Sequence, residues 1–169
     1  MTANDMQKAL IIGSPGSGKS TFARALHEAT GLPLIHLDNL FWNADRTNVE
    51  KEVFLARLED ALQRERWIID GNYLSTMDKR LAACDTVFFL DYPVDTCLEG
   101  IRQRQGQPRS DMPWVEQPGE CDQEFLAMIH NFPADTRPKV LALLARHPDT
   151  ETFIFTSREE ARAYLSRYQ

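Results

Sequence analysis

Short apolar runs alternate with longer amphipathic stretches along this chain. Five of the runs are rich in Ile, Leu, Val and Phe and are bounded by polar or turn-forming residues, which is typical of buried strands. The stretches between them carry apolar residues at helical spacing. Alternating strands and helices favour a parallel α/β sheet over an all-β or all-α domain. We therefore predict strands at residues 7–12, 33–37, 66–70, 86–91 and 152–156.

Two of the predicted helices begin with a capping-box pattern, in which Ser or Thr is followed three residues later by Glu. The first pattern is Thr47 with Glu50, ahead of an amphipathic stretch. The second is Ser157 with Glu160, which opens a helix that runs to about Arg167. Further helices are predicted after Ser75, from about Asp95, over residues 122–131 and over residues 138–147.

One stretch interrupts this rhythm. Residues 105–120 contain several Pro and Gly residues and no hydrophobic period, and the helical pattern that resumes afterwards breaks at Phe132-Pro133. A loop of this length in a compact domain is usually functional or disordered. We expect a lid insertion at about residues 105–135 within a single domain of residues 1–169.

The bulk composition excludes several classes of protein. A length of 169 residues with 43% apolar content fits one domain, and no segment is long and apolar enough to span a bilayer. The polar N-terminus lacks the features of a signal peptide, so we expect a cytoplasmic protein. Three cysteines without a Cys-x-x-Cys pair argue against a disulfide framework or a zinc site. A net charge of −6 disfavours a sequence-independent grip on nucleic acid.

Residues 13–20 read Gly-Ser-Pro-Gly-Ser-Gly-Lys-Ser, a complete Walker A phosphate-binding loop between a predicted strand and a predicted helix. Its glycines let successive backbone N–H groups curl around a polyphosphate. Lys19 would add positive charge at the β and γ oxygens, and the Ser20 hydroxyl would coordinate Mg²⁺. The loop alone allows ATP or GTP. The predicted nucleotide-binding residues are Gly13, Ser14, Pro15, Gly16, Ser17, Gly18, Lys19, Ser20 and Thr21.

Aspartates end the second, third and fourth predicted strands, at the sheet edge where open α/β sheets bind ligands. Asp70 ends the third predicted strand and would hold Mg²⁺ on the transferring phosphoryl group. Its neighbour is Gly71, whereas ATP-hydrolysing motors commonly place a water-activating glutamate there, so the sequence favours transfer to an acceptor. Asp38 ends the second predicted strand and would accept a proton from an acceptor hydroxyl or help to hold the metal. The alternative for Asp38 and Asp70 is a helix cap or turn, and we interpret Asp91 as a structural turn residue.

Arginines cluster at the start of the irregular stretch. Arg102, Arg104 and Arg109 would stabilise negative charge on the γ-phosphoryl group if a closing loop delivers them. The alternative is an exposed helix face that carries ordinary surface arginines. Arg137 and Arg80 are weaker candidates for phosphate contact. His36 lies within a predicted strand, where we expect a hydrogen-bonded core or edge histidine.

Several segments together carry a family resemblance. Residues 13–20, 36–42 (His-Leu-Asp-Asn-Leu-Phe-Trp), 67–73 (Trp-Ile-Ile-Asp-Gly-Asn-Tyr), 88–93 (Phe-Phe-Leu-Asp-Tyr-Pro) and 131–139 resemble the topology-modulation protein family (FlaR-related). That family belongs to the adenylate-kinase-like P-loop kinases. The resemblance implies a three-layer P-loop NTPase fold, in which helices cover both faces of a five-stranded parallel sheet of order 2-3-1-4-5, with an arginine-bearing lid.

The resemblance also implies roles for individual residues. ATP with Mg²⁺ is the implied cofactor, and the acceptor-binding region follows strand two. Adenylate kinases continue their Asp-Gly with Phe-Pro-Arg, whereas residues 72–74 here are Asn-Tyr-Leu, a departure from the AMP-kinase pattern on the acceptor side. The implied assignments are Gly13, Gly16, Gly18, Lys19 and Ser20 to nucleotide, Asp70 to metal, Asp38 to acceptor or metal, and Arg102 and Arg104 to the lid.

The predicted function is an ATP-dependent phosphotransferase that moves the γ-phosphoryl group to a small acceptor hydroxyl or phosphate. Its predicted catalytic residues are Lys19, Asp38, Arg102, Arg104 and Arg137. The main alternative is an ATP-binding regulatory protein, linked to DNA topology, whose lid ordering presents a surface to a partner. A DNA-associated protein is a third possibility that the charge does not favour.

Overall fold

Five strands form one parallel sheet in the order β2-β3-β1-β4-β5. The computed structural model describes residues 6–41, 47–104 and 123–168. Its sheet confirms the predicted α/β class and the strand order that the resemblance implied. Every strand begins and ends within one residue of its predicted bounds. The strands are β1 (Lys8–Gly13), β2 (Leu34–His36), β3 (Trp67–Asp70), β4 (Thr86–Leu90) and β5 (Glu151–Phe155).

Helices connect the strands and cover both faces of the sheet. A short π-helix, Phe132–Thr136, joins the sixth helix to the seventh, and a 3₁₀ turn, Ser166–Tyr168, follows the eighth. The α-helices are α1 (Lys19–Thr30), α2 (Leu37–Phe41), α3 (Lys51–Leu62), α4 (Leu74–Ala83), α5 (Val94–Arg104), α6 (Gln123–Asn131), α7 (Arg137–Ala145) and α8 (Arg158–Leu165).

The central strand β1 separates two hydrophobic cores. Ala9 and Ile11 point into a core shared with α1, α5 and α8, whereas Leu10 and Ile12 point into a core shared with α3, α4 and α7. Successive strand residues face opposite sides of a sheet, so a strand covered on both faces reads as a continuous apolar run. The result is a three-layer domain in which the carboxyl ends of the strands meet at one edge of the sheet.

Of the two predicted capping boxes, one is wrong and one is confirmed. Helix α3 begins at Lys51, so Glu50 is its N-cap rather than its third residue, and Glu50 makes no side-chain cap bond. The preceding residues are instead tied to the end of α2, because the Val49 N–H donates to the Phe41 carbonyl at 2.9 Å. At α8, Ser157 Oγ accepts from the Glu160 N–H at 3.3 Å, as predicted.

The predicted break at Phe132-Pro133 is a π-helical turn, and the chain remains helical from α6 into α7. Of the lid expected at residues 105–135, residues 105–122 lie outside the described residues. The remainder forms α6 and most of the π-helix. Both the lid and the bounds of the single domain therefore stay predictions.

Within the described ranges no helix is long and apolar enough to cross a membrane. Cys84 and Cys97 are buried free thiols. Burial raises the pKa of the Cys84 thiol to about 12, so this group stays protonated at neutral pH. Cys121 lies outside the described residues.

Candidate active site

The phosphate-binding loop turns sharply between β1 and α1. Gly16 and Gly18 have φ angles of 81° and 92°, which side chains other than glycine rarely adopt. The Ser17 N–H donates to the Ser14 carbonyl at 3.0 Å and closes the turn. Gly18 is the N-cap of α1 and has no side chain to accept from the N–H groups of the first helical turn. This cradle of backbone donors at a helix N-terminus fits a polyphosphate.

Helix α5 packs directly on the backbone of this loop. A Cβ atom built on Gly16 would lie 2.1 Å from the Cys97 carbonyl oxygen. A Cβ atom on Gly100 would lie 2.1 Å from the Gly16 carbonyl oxygen. Two glycines therefore face each other across the contact, and α5 approaches the loop more closely than any side chain would allow.

We expect Gly100→Ala to destabilise the protein by about 1–3 kcal/mol through overpacking. At an unobstructed helix position the same change would stabilise the helix by about 1 kcal/mol. The sign of the change in the free energy of unfolding, measured by urea denaturation, thus reports the close approach. Gln103→Ala, at an exposed position of the same helix, is the matched control. A Gly100→Ala protein more stable than the unsubstituted chain would contradict the contact.

The Lys19 side chain contacts the backbone of the phosphate loop. Its Nζ donates to the carbonyl oxygens of Gly13 and Ser14, both at 3.2 Å. Ser20 Oγ accepts from Arg24 Nη1 at 2.8 Å, and a hydroxyl oxygen has a second lone pair for a metal. Both residues thus remain candidates for the roles predicted from the motif.

Asp70 forms a buried pair with His36 at the ends of neighbouring strands. The two residues are partners in the β2–β3 register, and His36 Nδ1 donates to Asp70 Oδ2 at 2.6 Å. Both side chains are less than a tenth exposed. The histidine is a buried, hydrogen-bonded group as expected, and its bond fixes the orientation of the carboxylate proposed to hold metal.

The residues described contain no group of three or more His, Cys, Asp or Glu side chains able to hold a metal ion. Mg²⁺ in kinases is usually held by one or two carboxylates together with phosphate oxygens, so it needs no such group. Asp70 and Ser20 fit that donor set by their chemistry. Their assignment to metal stays a prediction.

Asp38 lies in the first turn of α2 rather than at the end of β2, since that strand already ends at His36. Its Oδ1 accepts a hydrogen bond from the Tyr73 hydroxyl. The Tyr73 ring packs on Phe41 and Phe54, with centroid distances of 5.0 and 5.4 Å. The carboxylate therefore adjoins an aromatic cluster at the carboxyl edge of the sheet, where the acceptor is predicted to bind. Trp42 lies outside the described residues.

Asn72 is a site residue that the sequence interpretation missed. Its Nδ2 donates to the Gly13 carbonyl at 2.6 Å, and its Oδ1 accepts from the Gly13 N–H at 3.1 Å. The amide thereby replaces a backbone partner for the first glycine of the phosphate loop. The only signal in the sequence was the position of Asn72 two residues beyond a strand that ends in Asp70.

The predicted phosphate-contacting arginines are placed differently from one another. Arg102 is exposed on α5 and pairs with Glu99 at 3.0 Å. Arg137 Nε donates to both carboxylate oxygens of Asp91, at 3.0 and 2.9 Å. The side chain of Arg104 and all of Arg109 lie outside the described residues. Phosphate contact by any of the four therefore stays a prediction.

A second missed residue, Arg158, brings a guanidinium to the phosphate loop from the start of α8. Its Nη2 donates to the Thr96 carbonyl at 3.4 Å, and its Nη1 lies 3.9 Å from the position of a Cβ atom on Gly18. Arg158 also lines a cavity of about 530 Å³ between α5 and the start of α8. This cavity has room for a ligand larger than a phosphate, and Arg158 is the residue that links it to the phosphate loop.

The strand, Walker A loop and helix unit, together with the parallel 2-3-1-4-5 sheet, matches the fold of the P-loop kinases. Solved structures of two kinases have a similar fold. A shikimate kinase from Acinetobacter baumannii superposes with a TM-score of 0.63 at 16% identity, over 97% of this chain and 91% of that chain. A gluconokinase from Sinorhizobium meliloti gives a TM-score of 0.56 at 19% identity, over 95% and 92% of the two chains. At such identities the likeness concerns the fold alone.

Sequence comparisons find relatives over about half of the chain. The chain is 34% identical to the uncharacterized protein YqaC of Bacillus subtilis over 102 residues, 57% of this chain and 56% of that protein. It is 30% identical to an adenylate kinase of Thermotoga petrophila over 91 residues, 52% and 40% of the two proteins. It is 33% identical to a shikimate kinase of Rhodococcus erythropolis over 110 residues, 57% and 63%.

The chain thus spans between 40% and 63% of the length of the relatives it matches. No protein-family model matches the chain. The comparisons therefore support the coarser part of the predicted resemblance, to P-loop kinases. The finer part, to topology-modulation proteins, stays a prediction.

Proposed function

We propose that this chain is a P-loop small-molecule kinase that transfers the γ-phosphoryl group of ATP to a small acceptor. The proposal is carried by the contacts at one edge of the sheet. There the phosphate loop that bears Lys19 is hydrogen-bonded to the connection between β3 and α4, and the same connection contacts Asp38. A donor cradle and an acceptor-side carboxylate are thereby joined through two residues, Asn72 and Tyr73. We further propose, on the motifs of residues 36–42 and 67–73, that the chain belongs to the topology-modulation branch of these kinases.

Each residue has a distinct task in this proposal. The backbone N–H groups of the loop bind the phosphates, and Lys19 and Arg158 add positive charge beside them. Asp70, oriented by His36, and Ser20 would hold Mg²⁺. When bound, ATP with Mg²⁺ supplies the activated phosphoryl group. Asp38 orients the acceptor hydroxyl and accepts its proton, for which general-base catalysis contributes about 10²- to 10⁴-fold.

The regulatory alternative has one observation in its favour. Helix α5, which leads into the predicted lid, touches the phosphate loop through the contact between Gly16 and Gly100. Nucleotide in the loop would therefore act directly on the helix that bears the lid. In this alternative the ordered lid presents a surface to a partner, and no phosphoryl group is transferred.

An acceptor screen tests the proposal. The chain is incubated with ATP and Mg²⁺, and ADP release is followed with a panel of nucleosides, nucleotides, sugars and small hydroxy acids. We expect one class of acceptor to raise ADP release well above the acceptor-free rate. Tight ATP binding with no response across the panel would favour the regulatory alternative, and the absence of ATP binding would reject both. Steeply salt-dependent retention on duplex DNA would favour the third possibility.

A further inference from the structure

We propose that Arg80 is a positioning residue that holds the loop between β3 and α4 in shape, and thereby fixes the phosphate loop and Asp38 relative to each other. The inference rests on the proposed function only for the roles of the phosphate loop and Asp38. The contacts of Arg80 do not depend on that function. From the sequence alone, Arg80 is only a weak candidate for phosphate contact.

The side chain of Arg80 is completely buried beneath this loop. Its Nη1 donates to the Gly71 carbonyl at 2.9 Å, and its Nη2 donates to the carbonyls of Asn72 and Tyr73, the latter at 3.0 Å. Its Nε donates to Thr76 Oγ1 at 3.1 Å. Four donated bonds and complete burial leave this guanidinium unsuited to phosphate contact, and three of those bonds organise the loop.

Three consecutive carbonyl groups converge on one buried point in this loop, and only a group with several donors in a fixed fork can satisfy them together. The loop backbone is itself unusual, because Tyr73 has a φ angle of 34°. Such conformations persist only where the surroundings hold them. Burial lowers the pKa of the Arg80 guanidinium to about 9, which still leaves it charged at neutral pH. A charged donor supplies the stronger hydrogen bonds that this loop requires.

Two side chains of the loop between β3 and α4, Asn72 and Tyr73, bond to two different parts of the site. Asn72 makes two hydrogen bonds to the backbone of Gly13, the first residue of the phosphate loop. Tyr73 donates to Asp38 on the acceptor side. A shift of the loop would therefore move the contacts on both sides at once, and Arg80 is the residue whose hydrogen bonds oppose that shift.

Amide hydrogen exchange in Arg80→Lys tests this inference without nucleotide. A lysine keeps the charge but cannot reach three carbonyls and Thr76 in the same fork. We expect the Gly13 amide, bonded to Asn72 Oδ1, to exchange about tenfold faster relative to the amide of Phe88 in the middle of the sheet. A merely structural loss would speed both amides by the same factor. Arg64→Lys, at an exposed arginine just after the end of α3, is the matched control and should change neither.

Thr76→Val is a second variant that keeps Arg80, in case the lysine variant does not fold. It removes both the acceptor for Arg80 Nε and the Thr76 hydroxyl bond to the Tyr73 carbonyl at 3.1 Å. We expect a smaller but still selective acceleration at Gly13. An unchanged ratio of Gly13 to Phe88 exchange in the folded variants would overturn the inference.

ATP affinity then separates this inference from the proposed function. We expect Arg80→Lys to weaken ATP binding about tenfold, and to add little when Asn72 is already Ala, because Arg80 acts on the phosphate loop through Asn72. Fully additive losses would reject that route. If the unsubstituted chain binds no ATP, the proposed function fails, while the exchange measurement still decides the role of Arg80.

Discussion

Replacing Lys19 with Met is expected to lower phosphoryl transfer from ATP by about 10²- to 10³-fold, the usual effect of removing one group that stabilises developing charge. The Met side chain has a similar length and no charge. The substitution also removes the two hydrogen bonds from Lys19 Nζ to the carbonyl oxygens of Gly13 and Ser14. Single-turnover ADP formation measures the loss once an acceptor is known, and ATP affinity measures the part already present in the ground state.

Lys79→Met provides the matched control for this prediction. Lys79 is half exposed on α4 and pairs with Glu59, a surface contact that is expected to contribute little to stability. Circular dichroism and urea denaturation should find both variants folded. If a folded Lys19→Met protein kept its ATP affinity and turnover, the assignment of the phosphate loop as the donor site would be wrong.

The parts of the site that the sequence predicted are the local ones. The phosphate loop is contiguous, and its strand and helix follow directly before and after it, so motif and structure coincide. The position of Asp70 was predictable because β3 is an apolar run that ends in a carboxylate, while its role in holding metal stays a prediction. The bounds of the buried strands β1, β3 and β4 were equally accessible, since each of these strands reads as one mostly apolar segment.

The parts that the sequence did not predict depend on contacts between distant segments. Asn72 lies 59 residues from Gly13 along the chain, and their pairing follows from the register between β3 and β1. Arg158 reaches the phosphate loop only because β5 places the start of α8 beside α5. An arginine in sequence also looks the same whether it is exposed, as Arg102 is, or enclosed, as Arg80 is. The capping box at Thr47 and Glu50 failed as well: the Val49 N–H donates to the Phe41 carbonyl, and α3 begins only at Lys51.

The second large effect is expected for Asp38→Asn, which should lower acceptor-dependent turnover by about 10²- to 10⁴-fold, the contribution of a general base. Asn has nearly the shape of Asp and keeps an oxygen that can accept from the Tyr73 hydroxyl, so the aromatic cluster should stay packed. The substitution removes the negative charge that would take the proton from the acceptor hydroxyl. We therefore expect kcat to fall while ATP affinity in the presence of Mg²⁺ is unchanged.

That split between turnover and ATP affinity distinguishes the two roles considered for Asp38. A carboxylate that helps to hold the metal would lose ATP affinity together with turnover, and the loss would depend on the Mg²⁺ concentration. A carboxylate that serves the acceptor alone would lose turnover at every Mg²⁺ concentration. Asp60→Asn, at an exposed aspartate of α3 paired with Arg64, is the control and should change neither quantity. Full turnover in Asp38→Asn would exclude both roles, and the base would then have to be sought elsewhere at this sheet edge.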